Sequence, residues 1–463
     1  MIKFGTDGWR AVIAKDFTFG NIEIVSQAIA DYLKLKVKGK KKVVIGYDRR
    51  FLSAEFAQTV ACVLAANNIN VVLSDKDIPT PVVSFHCLYK GYNLGIMITA
   101  SHNPAQFNGL KIKTPEGGSA DKPVTNKVES LLGKSKVKSI DIEQAKAKKI
   151  LKLQDLTKVY IEFLKKFINL KAIKKLKLKV LVENMYGVGD SYVEKILGKS
   201  NLKIDYLHNE FNPSFGGIHP EPVVDNLGEA IAKMKTKKYD ICVVLDGDAD
   251  RIAMIDGSGN YVNAQVILPL LAIHMIKNRK VAGGIGKTIV GSDVIDKVAL
   301  DLGVACYETK VGFKYLSNLF KEGLISIAGE EAGGIGFKGY VPERDGSAAF
   351  LLILEMMALE GKNFNKLLAS FYKKYGKHYY SRTAIPVKKL KKGLADLKLP
   401  KSLLGKKVER INTLDGIKLI TKDNWLMFRA SGTEPIVRVY AESKSKANSE
   451  ALVKLGRKMI NAL

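Results

Sequence analysis

Short runs of Val, Ile and Leu alternate along this chain with stretches whose apolar positions recur every three or four residues. The runs suit strands buried on both faces, and the stretches between them suit helices with one face inward. The pattern predicts strands over 42–48, 69–74, 94–99 and 109–113, with a helix over 53–68. It recurs with strands over 179–183, 203–207 and 240–245 and helices over 190–198 and 227–238. A third round predicts helices over 265–278, 294–302, 314–322 and 348–360, and strands over 287–290, 304–308 and 326–328. The lysine-rich 134–152 and the segment 375–381 read as linkers. Strands over 418–421, 425–430 and 437–442 and a helix over 446–459 close the chain. Strand, helix, strand, repeated, is the mark of an α/β layer fold. The expectation is three successive mixed α/β domains (1–150, 151–253, 254–374) and a small C-terminal α+β domain (375–463). No short period recurs, which excludes a solenoid, and 463 residues suit three or four domains.

The charge changes the picture. There are 74 Lys and Arg against 46 Asp and Glu, a net +28, which implies anionic partners: nucleic acid, a membrane surface or phosphorylated metabolites. Lysines cluster over 34–42, 134–152, 171–179 and 233–238, scattered and without interleaved aromatics or any zinc, basic-zipper or RNA-binding signature. These read as solvated faces, so no nucleic-acid partner is expected. A basic nucleic-acid-binding protein remains the different-class alternative. The four cysteines, Cys62, Cys87, Cys242 and Cys306, show no C-x-x-C spacing and read as reduced buried thiols. The N-terminus has no apolar signal region, and the longest apolar stretch, 266–276, is too short for a bilayer. A cytoplasmic location and no membrane partner are expected.

Five constellations carry candidate chemistry. TASHNP over 99–104 follows a strand, where ligands bind in open α/β sheets; it exposes Ser101 with His102 beside it, and Lys111 follows. DGDADR over 246–251 sets Asp246, Asp248 and Asp250 in one tight loop, hard oxygens for a hard cation such as Mg²⁺. An EF-hand is excluded, because Arg251 and Gly257 occupy the positions that need Gly and Glu. Arg251 can instead bind a phosphoryl group bidentately. In RASGTEP over 429–435, Arg429, Ser431, Gly432 and Thr433, with Arg438 behind, make an oxyanion cradle without a base. GEEAGG over 329–334 offers carboxylates for sugar hydroxyls, although a solvated turn is the commoner reading. In FGTDGWR over 4–10, Arg10 could reach a phosphate, while Trp9 reads as packing. GGIGKT over 283–288 resembles the tail of a P-loop, but Val281 stands where that loop needs glycine; Lys287 remains a candidate phosphate contact.

TASHNP with NGLKIK, DGDADR, GEEAGG and RASGTEP, in this order after FGTDGWR, resemble the α-D-phosphohexomutase family of phosphoglucomutases and phosphomannomutases. The resemblance spans essentially the whole chain. It implies four domains around a central cleft, Ser101 as the phosphoserine, and Mg²⁺ held by Asp246, Asp248, Asp250 and the Ser101 phosphate. It implies Arg10, Lys111 and Arg251 near the phosphoserine, with His102 and Lys111 as candidates for proton transfer. It assigns Glu330 to sugar hydroxyls, Arg429, Ser431, Gly432 and Thr433 to the non-reacting phosphate, and Lys287 and Lys314 as further contacts. The implied reaction interconverts hexose 1- and 6-phosphates through a hexose 1,6-bisphosphate, which also acts as activator, in a monomer or weak homodimer.

Two departures bear on specificity. Ala332 stands where many relatives have Ser, and Gly334 where some bacterial relatives have a His proposed to transfer a proton. Arg344 is the candidate replacement cation. GEEAGG is nearer the glucose-type loop, so glucose is the expected hexose, with mannose or glucosamine phosphates as alternatives. A non-catalytic sugar-phosphate sensor would need neither Ser101 nor the aspartates.

Overall fold

The computed structural model describes residues 2–5, 7–189, 192–387, 393–431 and 436–463. Three mixed α/β domains and a smaller C-terminal domain follow one another, each built on its own sheet. In the first sheet Lys42–Tyr47, Asn70–Ser74 and Leu94–Ile98 run parallel, and Phe107–Lys113 and then Trp9–Val12, at the edge, extend it antiparallel. The second joins Lys179–Glu183, Lys203–Leu207 and Ile241–Leu245 in parallel, with Ile252–Asp256 returning antiparallel. The third centres on Gly284–Thr288, and the fourth is wholly antiparallel.

Both expected linkers are structured. Residues 134–152 contain the helix Ile142–Ala147 and the start of Leu151–Gln154, which pairs parallel to Asn70–Ser74. The first sheet therefore ends just beyond residue 150. It is an edge strand with exposed lysine and leucine, so its pattern lacks the unbroken apolar run of a central strand. Tyr379–Pro386 likewise pairs with Ile436–Ser443 along its length. The expected boundary at 253 falls within Ile252–Asp256, an entirely buried strand of the second sheet.

The strand expected over 287–290 is Gly284–Thr288, and every residue of it is buried. A Cβ at Gly284 would lie 2.3 Å from Ala305 O, so the P-loop lookalike is a core strand whose glycine admits a neighbouring backbone. Long helices also form where no periodic stretch was assigned. Phe19–Lys36 starts at Thr18, whose Oγ1 accepts from Asn21 N at 3.3 Å. Thr80–Lys90, Lys122–Leu131, Thr157–Phe167 and Phe364–Tyr375 are further examples.

The helix Gly346–Glu360 is buried almost throughout, among Tyr160 and Val243 of the second domain and Leu271 and Ile327 of the third. Asp345 caps it, accepting from Ala348 N at 2.8 Å and from the hydroxyls of Tyr160 at 2.7 Å and Tyr340 at 2.6 Å. At about 1.5–3 kcal/mol per buried Leu or Phe, this shared interior makes the two domains one body. The same interior includes Val44 and Met97 of the first domain. The C-terminal domain keeps its own core and meets the rest through a small apolar patch, Ile289 and Val290 against Trp425, Met427 and Tyr440, and through polar contacts such as Asn412 to Glu308 at 2.7 Å and Asp293 N to Glu442 at 3.0 Å. Among the described residues, no helix is long and apolar enough to cross a membrane.

Candidate active site

The serine loop leaves the first sheet after Leu94–Ile98. Ser101, expected to be exposed, is instead buried, because the loop is covered by the Asp246–Asp250 hairpin; its φ is +52°, a left-handed conformation that costs a non-glycine residue about 1–2 kcal/mol. Its N–H donates to Thr99 Oγ1 at 2.8 Å, and its hydroxyl donates to Asp246 Oδ2 at 2.9 Å. That second bond crosses from the first domain to the second. The loops meet closely because residue 247 is glycine: a Cβ there would lie 2.6 Å from Ser101 O.

Asp246, Asp248 and Asp250 sit at the tip of the hairpin between Ile241–Leu245 and Ile252–Asp256, all fully buried. Lys111 donates to Asp248 Oδ2 at 2.7 Å and Asp250 Oδ2 at 3.1 Å. Thr80 adds a short bond to Asp248 Oδ2. Oδ1 of both Asp248 and Asp250 is buried and accepts no hydrogen bond, and one oxygen from each of the three aspartates lies within 4.8 Å of the others. Three hard oxygens with unfilled lone pairs fit a divalent cation such as Mg²⁺.

Electrostatics agree. Burial, with Asp248 and Asp250 adding to it, pushes the Asp246 carboxyl well above its ordinary range despite Arg251 and Lys111. Burial would raise Asp248 too, but the Lys111 ammonium and the bonds from Lys111 and Thr80 pull it below the usual range. Burial alone would lower Lys111, yet Asp248, Asp250 and Asp7 outweigh it and hold the ammonium charged. His102 goes the other way: burial, and then the guanidiniums of Arg251, Arg10, Arg382 and Arg50, keep its imidazole neutral.

Asp7 was missed, although it stands in the same N-terminal run as Arg10. Its carboxylate lies 3.0 Å from Lys111 Nζ, 2.7 Å from Arg344 Nη2 and 4.0 Å from Arg10 Nη2. Lys113, in the same predicted strand as Lys111, forms a fully buried pair with Glu343 at 2.5 Å. The signal for Lys113 was its place two residues beyond Lys111 on one strand, and for Asp7 its place in the run that carries Arg10.

Arg344 joins the sugar loop to the metal loop. Its guanidinium lies 3.1 Å from Glu330, 2.9 Å from Asp250 and 3.1 Å from Glu343. Gly334 makes room for it, because a Cβ at 334 would lie 2.2 Å from Arg344 Cδ. The cation thus fills the space a side chain at 334 would need. Burial, against Arg344 and with Glu331 adding to it, pushes the Glu330 carboxyl up to about 7.

Arg429 and Arg438 face each other on the strands Asn424–Ala430 and Ile436–Ser443. Asp415 accepts from Arg429 Nε at 2.8 Å and from Val311 N at 2.9 Å, tying this strand pair to the loop before Lys314. Ser431 N donates to Ile436 O at 3.0 Å. Gly432 and Thr433 lie outside the described residues. Arg382 of the C-terminal domain pairs with Glu221 of the second domain.

Lys314 lines a cavity of about 250 Å³ between the first and third domains, with Thr114, Ser119 and Asp121. Lys287 is not brought to the serine. Its buried ammonium pairs with Asp296 and lies 3.8 Å from Glu308, as a lysine inside a core strand must find carboxylates nearby. The remaining candidates converge: Ser101, Lys111, Arg251 and the aspartates in one cluster, Arg10 on Asn103 Oδ1 at 2.7 Å, and Glu330 and Arg344 beside them.

Four profiles of phosphoglucomutase/phosphomannomutase match in order: α/β/α domain I over 1–138, domain II over 158–259, domain III over 263–375 and the C-terminal domain over 383–455. A Thermococcus kodakarensis protein named phosphoglucomutase/phosphomannomutase is 31% identical over 460 residues, 99% of this chain and 98% of that one. A phosphoglucosamine/phosphogalactosamine mutase of Sulfurisphaera tokodaii is 29% identical over 464 residues, 99% of this chain and 98% of that one. A Thermus thermophilus crystal structure that carries the name putative phosphomannomutase superposes with TM-score 0.89 at 31% identity, covering 99% of both chains.

Proposed function

This chain belongs to the phosphoglucomutase/phosphomannomutase family and is a phosphohexomutase, an isomerase; from that premise we propose that it interconverts glucose 1-phosphate and glucose 6-phosphate through a phosphoserine at Ser101. The observation that carries the reading is the 2.9 Å bond between Ser101 Oγ and Asp246 Oδ2. It sets a nucleophilic oxygen of one domain against the buried acidic hairpin of another.

A hexose monophosphate supplies the attacking hydroxyl. Its oxygen bonds to phosphorus, and the bond from phosphorus to Ser101 Oγ breaks. The sugar hydroxyl's proton passes to a nearby base, for which the neutral His102 is the candidate, and Ser101 Oγ takes a proton from a nearby acid, for which the Lys111 ammonium is the candidate. The hexose 1,6-bisphosphate then turns over and returns its other phosphoryl group to Ser101 by the reverse step. Asp246, Asp248 and Asp250 would hold Mg²⁺, which when bound neutralises charge on the transferring group. Arg10 and Arg251 flank the serine loop and offer guanidiniums to the phosphoryl oxygens. Glu330 reads the sugar hydroxyls, and Arg429, with Ser431 and Arg438 beside it, binds the resting phosphate. The small apolar contact of the C-terminal domain suits a part that moves to admit substrate and exclude water.

Glucose preference rests on GEEAGG at 329–334. Intact mass before and after incubation with glucose 1,6-bisphosphate tests the carrier: one added phosphoryl group, mapped to Ser101, is expected. Ser101→Ala is expected to lose turnover by several orders of magnitude and still bind sugar phosphate; near-normal turnover in that variant would overturn the reading. Comparing glucose, mannose and glucosamine 1-phosphates tests the sugar, and a glucosamine preference would overturn that part.

A further inference from the structure

We propose that Arg50 is a positioning residue for phosphoryl transfer, holding the backbone of the serine loop so that Ser101 and Arg10 stay in register. The inference rests on the reading of Ser101 as the phosphoryl carrier. Arg50 lies just past the strand Lys42–Tyr47, where its own N–H donates to Asp48 Oδ1 at 3.0 Å. Its side chain is fully buried and turns into the loop 101–107. Nη2 donates to Ser101 O and to Asn103 O, both at 2.6 Å. Nη1 donates to Pro104 O at 2.9 Å and to Phe107 O at 3.0 Å. Asp48 balances the charge, with Oδ2 3.3 Å from Nε. Phe215, from the second domain, presents its ring 4.8 Å from the guanidinium.

Four carbonyls of one turn thus converge on one planar fork. Buried carbonyls need partners; Pro104 O also accepts from Phe107 N at 3.0 Å, and the guanidinium is the donor that reaches all four. Ser101 holds a left-handed φ of +52°, so its backbone sits away from its own minimum and requires outside restraint. The grip also reaches a second group. Asn103, held by its carbonyl, accepts from Arg10 Nη1 through Oδ1 at 2.7 Å. One guanidinium therefore aligns the nucleophile and a cation beside it. Because Nη1 and Nη2 are committed to backbone carbonyls, Arg50 binds no substrate, and its loss falls on kcat rather than on KM. A lysine cannot replace it, since a single ammonium lacks the planar array that spans four acceptors.

The test compares full-length wild type, Arg50→Lys and Phe215→Leu for kcat and KM on glucose 1-phosphate, thermal midpoint, and rate of phosphorylation by glucose 1,6-bisphosphate. Misplacement of a reacting group by about 1 Å costs on the order of 100-fold in rate. R50K is therefore expected to lose about that factor in kcat and in phosphorylation rate, with KM within about twofold. F215L, which loosens the guanidinium from its other face, shows a smaller fall with the same pattern. A folded R50K with kcat and phosphorylation rate within about threefold of wild type, or with KM rising in step with the loss, overturns the proposal. If R50K does not fold, F215L decides by the same criteria. Wild type that takes up no phosphoryl group at Ser101 refutes the carrier reading instead, so the two failures are distinct.

Discussion

Gly247→Ala is the sharpest probe of the interlocking of the two central loops. A Cβ at 247 would stand 2.6 Å from Ser101 O, with Pro220 side-chain atoms next, at 3.4 Å. Ordinary contact needs about 3.4 Å, so the loops must part by about 0.8 Å. The Ser101 hydroxyl bond to Asp246, 2.9 Å in the present geometry, lies across the same gap. Gly247 is absent from the positive-φ residues, so alanine brings no left-handed strain, and the reduced entropy of the unfolded chain offsets part of the clash. A stability loss of about 1–2 kcal/mol is expected from overpacking, together with a fall in kcat of about 10–100-fold from misplacement. Steady-state formation of glucose 6-phosphate, read beside urea unfolding, separates the two effects. A variant with kcat within about threefold of wild type would refute the argument that loop spacing governs transfer.

Gly334→His is expected to destabilise the protein by about 1–3 kcal/mol and to displace Arg344, because a Cβ at 334 meets Arg344 Cδ at 2.2 Å; a lowered urea midpoint checks it, and an unchanged one counts against the space-filling role of Arg344. Asp415→Asn removes the charge that holds Arg429 Nε at 2.8 Å and is expected to raise KM for hexose phosphate about tenfold while kcat changes little, as steady-state kinetics would show. His208 pairs with Glu183 at 2.9 Å and Glu229 at 3.2 Å, and the bond to Glu183 leads in raising its pKa above the ordinary 6.5. The charged form is the stabilised one, so this contribution is complete below pH 6.5 and fades as pH rises through the higher folded-state value. Urea unfolding across that window should show a loss in wild type that His208→Asn lacks, asparagine tolerating the φ of +49°.

Much of this molecule is written locally. Unbroken apolar runs announce Lys42–Tyr47, Leu94–Ile98 and Ile241–Leu245, because a strand buried on both faces has no place for polar side chains. The loops that follow two of them carry Ser101 and the three aspartates, and carboxylates that are close in sequence are close in space whatever the fold. Edge strands such as Leu151–Gln154 are harder to read, since only one of its four residues is buried.

Which distant groups answer those loops is a matter of tertiary structure. Asp7 and Arg344 are 337 residues apart and bond at 2.7 Å, a meeting that no local spacing encodes. Lys287 looked like a phosphate ligand by its glycine-rich setting, and packing turned it inward to Asp296. Arg50 reads as an ordinary basic residue beside a turn until the fold brings four carbonyls onto it. The chemistry of the cluster is local because it depends on residue type and short spacing; its geometry is global because each charge is buried only where chain-distant partners compensate it.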